Sequence, residues 1–160
     1  MKLNSQTGMN LTELMIAVSI IGLLMVTTIP AFVKRNERQK LDVAADMISN
    51  KLLIARQKAV ASKKRYRMEY NYGTRAFRIL RQESPGTWVS DPPNNLYELP
   101  KGIIMSVTST PADGTVEINP RGTIRDADLP VVLKIKDHNN HLKSIRVSKS
   151  GMVQEASTWD

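Results

Sequence analysis

From Leu14 to Val33 the chain is apolar at nearly every position, interrupted only by Ser19, Gly22, Thr27 and Thr28. At about 1.5 Å per helical residue, such a run is long enough to cross a hydrocarbon core of about 30 Å. One carboxylate, Glu13, stands at its entrance, and the first charges beyond it are Lys34 and Arg35. Pro30 removes one backbone donor and is expected to kink the helix without ending it. After Val33 the period stays helical. Leu41, Ala45, Ile48, Leu52, Ala55 and Ala59 recur at steps of three or four, while Lys34, Arg38, Asp42, Asp46, Lys51, Arg56 and Lys58 fall largely off that stripe. The pattern predicts one long helix to about Ser62, its second half packed on a globular domain.

From Arg65 the period becomes two. Tyr66, Met68, Tyr70 and Tyr72 alternate with Arg65, Arg67, Glu69 and Asn71; beyond Gly73, Phe77 and Ile79 alternate with Ala76, Arg78 and Leu80. This predicts a hairpin centred near Tyr72-Gly73. Gln82 to Asn95, with Pro85, Gly86, Pro92 and Pro93, is expected to be loop. Short strands are expected over Ile103 to Val107 and Val116 to Ile118, with a turn at Ala112 to Gly114 and a break at Pro120-Arg121-Gly122. Val131, Leu133 and Ile135 alternate with Val132, Lys134 and Lys136; a turn over Asp137 to Asn140 leads to a returning strand with Leu142, Ile145 and Val147. A last short strand follows Gly151 and ends before Ser157. The fold class is α+β: a long N-terminal helix packed on an antiparallel sheet, or on two small ones.

The carboxylate at position 13 is the most informative residue. An ionised Glu at or inside lipid is costly unless a cation meets it, and no Lys or Arg lies between Lys2 and Lys34. Either Glu13 sits at headgroup level and is solvated, or its partner comes from another chain. A cut after Gly8 would expose the amine of Met9 four residues before Glu13. In a stack of such helices, the carboxylate of one copy can meet the amine of the next.

Gly8-Met9-Asn10-Leu11-Thr12-Glu13-Leu14, followed by an apolar helix containing Pro30, resembles the class III signal of type IV pilins and pseudopilins. The resemblance implies that a prepilin peptidase cuts between Gly8 and Met9, that Met9 is N-methylated, and that Glu13 registers the subunit against its neighbour. Met9 replaces the commoner Phe and keeps a bulky apolar residue there. The domain order, with Val116-Glu117-Ile118-Asn119-Pro120-Arg121-Gly122-Thr123 and Ile145-Arg146-Val147-Ser148-Lys149-Ser150-Gly151, resembles the GspH/FimT group of minor pseudopilins and minor pilins. It implies a leader over 1–8, a transmembrane and filament-core helix over 9–33, and an amphipathic helix plus β-rich periplasmic domain over 34–160. The chain would be a single-pass inner-membrane protein built into a type II secretion pseudopilus or a type IV pilus. Its partners would be other pilins or pseudopilins, the prepilin peptidase and an inner-membrane assembly platform. The basic flank Lys34, Arg35, Arg38 and Lys40 pulls the other way, since the positive-inside rule would place the domain in the cytoplasm; the motif outranks it.

Composition changes this picture in one respect. The chain of 160 residues carries a net charge of +8, a balance that favours anionic partners or a solvated basic surface. Lys134, Lys136 and Arg146 should project from one face of the last hairpin, with Arg121, Arg125, Lys143 and Lys149 nearby. The alternative function is therefore a FimT-like, pilus-associated DNA receptor. Members of the group that bind DNA use a Gly-Arg-x-Arg stretch, and here Gly151-Met152-Val153-Gln154 lacks both arginines. The basic residues serve otherwise as a solvated face or a contact for acidic neighbouring subunits. Cysteine is absent, so there is no disulfide framework or thiolate site. His138 and His141 read as turn residues rather than metal ligands. With no nucleophile set, phosphate loop or dinucleotide fingerprint, the expectation is a non-enzyme without cofactors or metal.

Overall fold

The computed structural model describes residues 10–157 apart from 94 and 107; the side chains of 26–35, 37 and 156–157 also lie outside the description. The expected cleavage site, Gly8 and Met9, falls outside it as well. The chain divides into two units, Met1–Arg38 and Gln39–Asp160.

Helix α1 runs Leu11–Ser62, passing Pro30 without ending. At its start the Asn10 carbonyl accepts the amides of Glu13 at 2.9 Å and Leu14 at 3.1 Å. In the first unit, Leu11, Leu14, Leu23 and Leu24 are exposed by 72%, 46%, 72% and 59%. These positions lie around the whole helix rather than along one stripe. Among the described residues no helix is long and apolar enough to cross a membrane. The expected span, 14–33, continues from residue 26 into side chains that are not described.

In the second unit the helix supplies one wall of the core. Leu41, Ala44, Ala45, Ile48, Leu52, Ala55 and Ala59 are each at most 2% exposed, the predicted stripe with Ala44 added. Two antiparallel sheets complete the core. The first is ordered β3-β2-β1-β6, with β4 also paired to β2; its strands are β1 Tyr66–Tyr70, β2 Ala76–Ser84, β3 Thr87–Ser90, β4 Leu96–Glu98 and β6 Thr115–Ile118. The second is ordered β5-β7-β8-β9, with β5 Ile104–Met105, β7 Val131–Lys136, β8 Leu142–Val147 and β9 Val153–Ser157. Met68, Phe77 and Val116 of the first sheet and Met105, Leu133, Ile135 and Ile145 of the second are each at most 1% exposed and join the helix stripe in one cluster.

Four sequence expectations need correction. Gln82 to Asn95 is not all loop, because β2 continues to Ser84 and β3 returns beside it. Pro85-Gly86 is the hairpin turn itself: proline fixes a negative φ and Gly86 supplies φ +83°, the pairing a tight turn requires. Strand β4 was also missed, being too short to show a period; Asn95 locks its entry by donating to the carbonyls of Ile79 at 2.9 Å and Asp91 at 2.6 Å. Leu80, expected on the outward phase, is 5% exposed. Its cross-strand neighbour Arg67 lies over the Trp88 ring at 4.3 Å and roofs that side with its aliphatic stem. The last strand also includes Ser157.

Polar contacts fix the helix to both sheets. Lys58 Nζ bonds Asp91 Oδ1 at 3.0 Å, and the Tyr66 hydroxyl donates to Asp91 Oδ2 at 2.6 Å. Arg56 Nε donates to the Gly122 carbonyl at 3.1 Å, and the Arg56 stem lies against the turn at Gly151. Asp42 Oδ1 accepts from Lys143 Nζ at 2.8 Å, and Glu155 Oε2 does so at 2.9 Å. Burial lowers the Lys143 pKa, but its bonds to Asp42 and Glu155 outweigh that, and the net shift is upward. The bond from Lys143 holds Glu155 below the ordinary carboxylate value, against the opposing effect of burial.

Two predictions follow from these joints. A Cβ at Gly151 would stand 2.5 Å from the Gly122 carbonyl oxygen at φ +76°, whereas one at Gly73, φ +72°, meets nothing within 4 Å. Gly73→Ala should cost about 1–2 kcal/mol for backbone conformation alone, and Gly151→Ala about 3 kcal/mol or more because the turn must also shift; denaturant midpoints compare them. Second, the Glu155 contribution is present above its unfolded value of 4.5 and fades as pH falls through the lowered folded value. The Lys143 contribution runs the other way, present below 10.5 and lost only as pH rises through its raised value. Glu155→Gln should therefore cost about 1.5–3 kcal/mol at neutral pH and flatten the loss of stability below 4.5. Equal acid limbs in wild type and variant would assign the titration elsewhere.

Candidate functional site

Two surfaces carry chemistry that the core does not use. The first is the start of α1. Asn10 directly precedes the helix, and Glu13 falls in its first turn, where the unpaired backbone amides and helix dipole favour a carboxylate. Glu13 is exposed and has no ion-pair partner among the described residues. Its surroundings are apolar: Leu14, Met15 and Ile16 are 46%, 64% and 60% exposed. Ser19, the first polar position inside the run, returns its hydroxyl to the Met15 carbonyl at 2.8 Å and so presents no unmet donor. A helix apolar on all sides is stable only when covered all round, by lipid or by other helices. Glu13 is thus a single negative charge at the end of a surface that must be desolvated.

The second surface is the outward face of the β5-β7-β8-β9 sheet. Strand β7 alternates buried and half-buried positions from Val131 to Lys136, so Val132, Lys134 and Lys136 point away from the core. Register places Arg146 opposite Val132 and Gln154 opposite Arg146. Lys134, Lys136 and Arg146 therefore share this face. Lys136 makes a long contact to Asn140 Oδ1 at 3.4 Å.

The other basic residues singled out from the sequence are differently placed. Lys143 has the opposite phase of β8 from Arg146; it points inward, 9% exposed, to Asp42 and Glu155. Arg125 is held by Asp128 Oδ1 at 2.6 Å and Glu117 Oε2 at 3.2 Å. Its pKa is raised, the bond to Asp128 outweighing burial. Asp128, 2% exposed, also accepts the Glu117 amide at 2.7 Å, which pins the short 3-10 turn Asp126–Asp128 to β6. Lys149 pairs with Asp126 at 2.8 Å on the surface. Arg121 is exposed in the turn between Asn119 and Thr123. Sequence alternation could not reveal these pairings, because each carboxylate comes from a different element.

Around His138 and His141, Asp137 organises the β7–β8 turn. It accepts the backbone amides of Asn139 and His141 at 2.9 and 2.8 Å, and its second oxygen lies 2.8 Å from His141 Nδ1. Burial raises the Asp137 pKa, but these bonds outweigh it and the net shift is downward. Among the described residues no group of three metal-binding side chains occurs.

The chain is similar in fold to two solved structures. One is the minor pseudopilin EpsH from the type 2 secretion system of Vibrio cholerae, at 16% identity and a TM-score of 0.59, covering 74% of this chain and 97% of that one. The other is the type IV minor pilin FimU of Pseudomonas aeruginosa PAO1, at 17% identity and a TM-score of 0.59, covering 78% of this chain and 92% of that one. No model of a protein family matches the chain, and no curated protein does. With its N-terminal helix packed on antiparallel sheet, the chain has the pilin-like fold of these minor pseudopilins and minor pilins.

Proposed function

We propose that this chain is a non-enzymatic minor pilin or pseudopilin, a structural subunit of a type II secretion pseudopilus or type IV pilus. In this reading prepilin peptidase cuts between Gly8 and Met9, and Met9 is N-methylated. Residues 14–33 hold the subunit in the inner membrane, with the domain in the periplasm, until an assembly platform draws it into the filament. There the apolar helix packs against other pilin helices, and Glu13 meets the N-terminal amine of a neighbour. The observation that carries the reading is the lone carboxylate five residues after Gly8, at the start of a helix whose apolar surface is uncovered on every side. The pilin-like fold supports it.

The charge argument gives the pairing its direction. A carboxylate inside an apolar filament core is stable only beside a positive group, and a methylated amine at the next helix tip is a compact cation of the right sign. A DNA-receptor reading has less support, because Arg125, Lys143 and Lys149 are already occupied by carboxylates.

Substitution of Gly8 by a larger residue should leave the leader attached, so that the chain blots as a larger species than wild type. A processed product of wild-type mobility would remove the claim. Glu13→Gln should leave cleavage intact and reduce incorporation into sheared filaments by about tenfold or more, the equivalent of about 1.4 kcal/mol. Undiminished incorporation would exclude the carboxylate–amine contact.

A further inference from the structure

The outward face of the second sheet has a one-sided charge that the fold does not use. Lys134, Lys136 and Arg146 lie on it together, and among the described residues its strands present no carboxylate there. Glu155, the acid of β9, is on the other phase and is spent on Lys143. Lys143, the other cation of these strands, is paired with Asp42 and Glu155, whereas Lys134, Lys136 and Arg146 have no carboxylate partner among the described residues.

We infer that this face docks an acidic surface of a neighbouring protein subunit. The inference rests on the assembly reading above and adds the chemistry of one lateral contact. Three features favour protein over nucleic acid. Val132 and Leu142 are half-buried on the same face, and apolar groups among the cations suit a mixed protein surface, whereas phosphates offer them nothing. Base-stacking aromatics are absent from the face among the described residues, so it offers no stacking platform for single strands. Three cations would release few counterions, well short of the six to ten phosphate contacts of strong duplex binders. Against a protein, the same cations need only two or three carboxylates. Residues of one phase along β7 are about 6.6–6.8 Å apart, the repeat of alternate side chains on a facing strand, so Lys134 and Lys136 can each meet one acid.

The test uses the full chain in cells that make the assembly, with a photo-crosslinking residue at Gln154, exposed beside Arg146. A second probe at Val18, 60% exposed on the helix, reports helix packing independently. The expected result is an adduct with a protein whose mapped peptide carries at least two carboxylates. Lys134→Glu, Lys136→Glu and Arg146→Glu together should lower its yield at least about tenfold, since like charges in contact cost several kcal/mol. Reversing the mapped carboxylates to Lys should restore it, which also shows that the triple variant is folded. The milder triple Gln variant should fall between. Adducts with nucleic acid or lipid, a mapped peptide without acids, or a yield indifferent to charge reversal would overturn the inference. A persisting Val18 adduct with none from Gln154 would defeat it while leaving the subunit reading intact; loss of both would defeat the subunit reading and the inference with it.

Discussion

The second half of α1 is buried against both sheets, and the domain depends on that contact. Neither sheet has a second sheet or a long helix of its own to cover its apolar face. The seven helix residues from Leu41 to Ala59 are nearly solvent-free because Met68, Phe77 and Val116 meet them from one sheet and Leu133, Ile135 and Ile145 from the other. Four of those seven are alanine, which leaves the large side chains to the strands and lets the helix backbone lie close to them. The cost of a badly filled site would be felt at once, since close-packed interiors relax only partly around a lost methyl group. Polar residues flank this stripe and hold its orientation: Lys58 and Arg56 reach the first sheet and the two glycine turns, while Asp42 reaches Lys143 in the second sheet.

Much of this was legible in the residues. A stripe at helical spacing and strands alternating at period two encode burial directly, and the structure keeps both, from the α1 stripe to the alternation of buried and half-buried positions along β7. What escaped is what periodicity does not encode. Strand β3 lies behind a proline and a glycine that serve as its turn, and β4 is three residues long, too short for alternation to register. Leu80 is buried on an outward phase because Arg67 and Trp88 stack above it, a tertiary contact. The basic residues divided in the same manner. Alternation placed Lys134, Lys136 and Arg146 on one face, but it could not say that Lys143 turns inward to two acids or that Arg125 is held by Asp128, because those partners are remote in sequence or set by a turn.

Charge has two uses in this chain, and burial separates them. Inside the domain, three cations near the core are matched by carboxylates: Lys143 with Asp42 and Glu155, Arg125 with Asp128 and Glu117, Lys58 with Asp91. Such pairs add specificity more than net stability, because desolvation offsets much of their attraction. Their value lies in fixing which strand faces which side of the helix. At the surface Lys134, Lys136 and Arg146 lie on one sheet face, where solvation makes unpaired charge cheap.

The start of α1 presents the same physics without a matching group. Glu13 has the helix amides on one side and a helix of exposed Leu, Ile, Val and Met on the other. In water that carboxylate is comfortable and the apolar helix is not; in lipid or in a bundle the preference inverts. A single environment satisfies both only if it is apolar along the helix and positive at its tip. In the proposed reading the positive group is brought by another molecule, and the geometry that satisfies one subunit then repeats for the next: an apolar helix apposed to its neighbours, each carboxylate met by an amine. An open, head-to-tail arrangement of this kind does not close on itself, so the same contact that neutralises one charge leaves an equivalent site for the following subunit. On that proposal, filament growth follows from one charge that no partner among the described residues of a single chain meets.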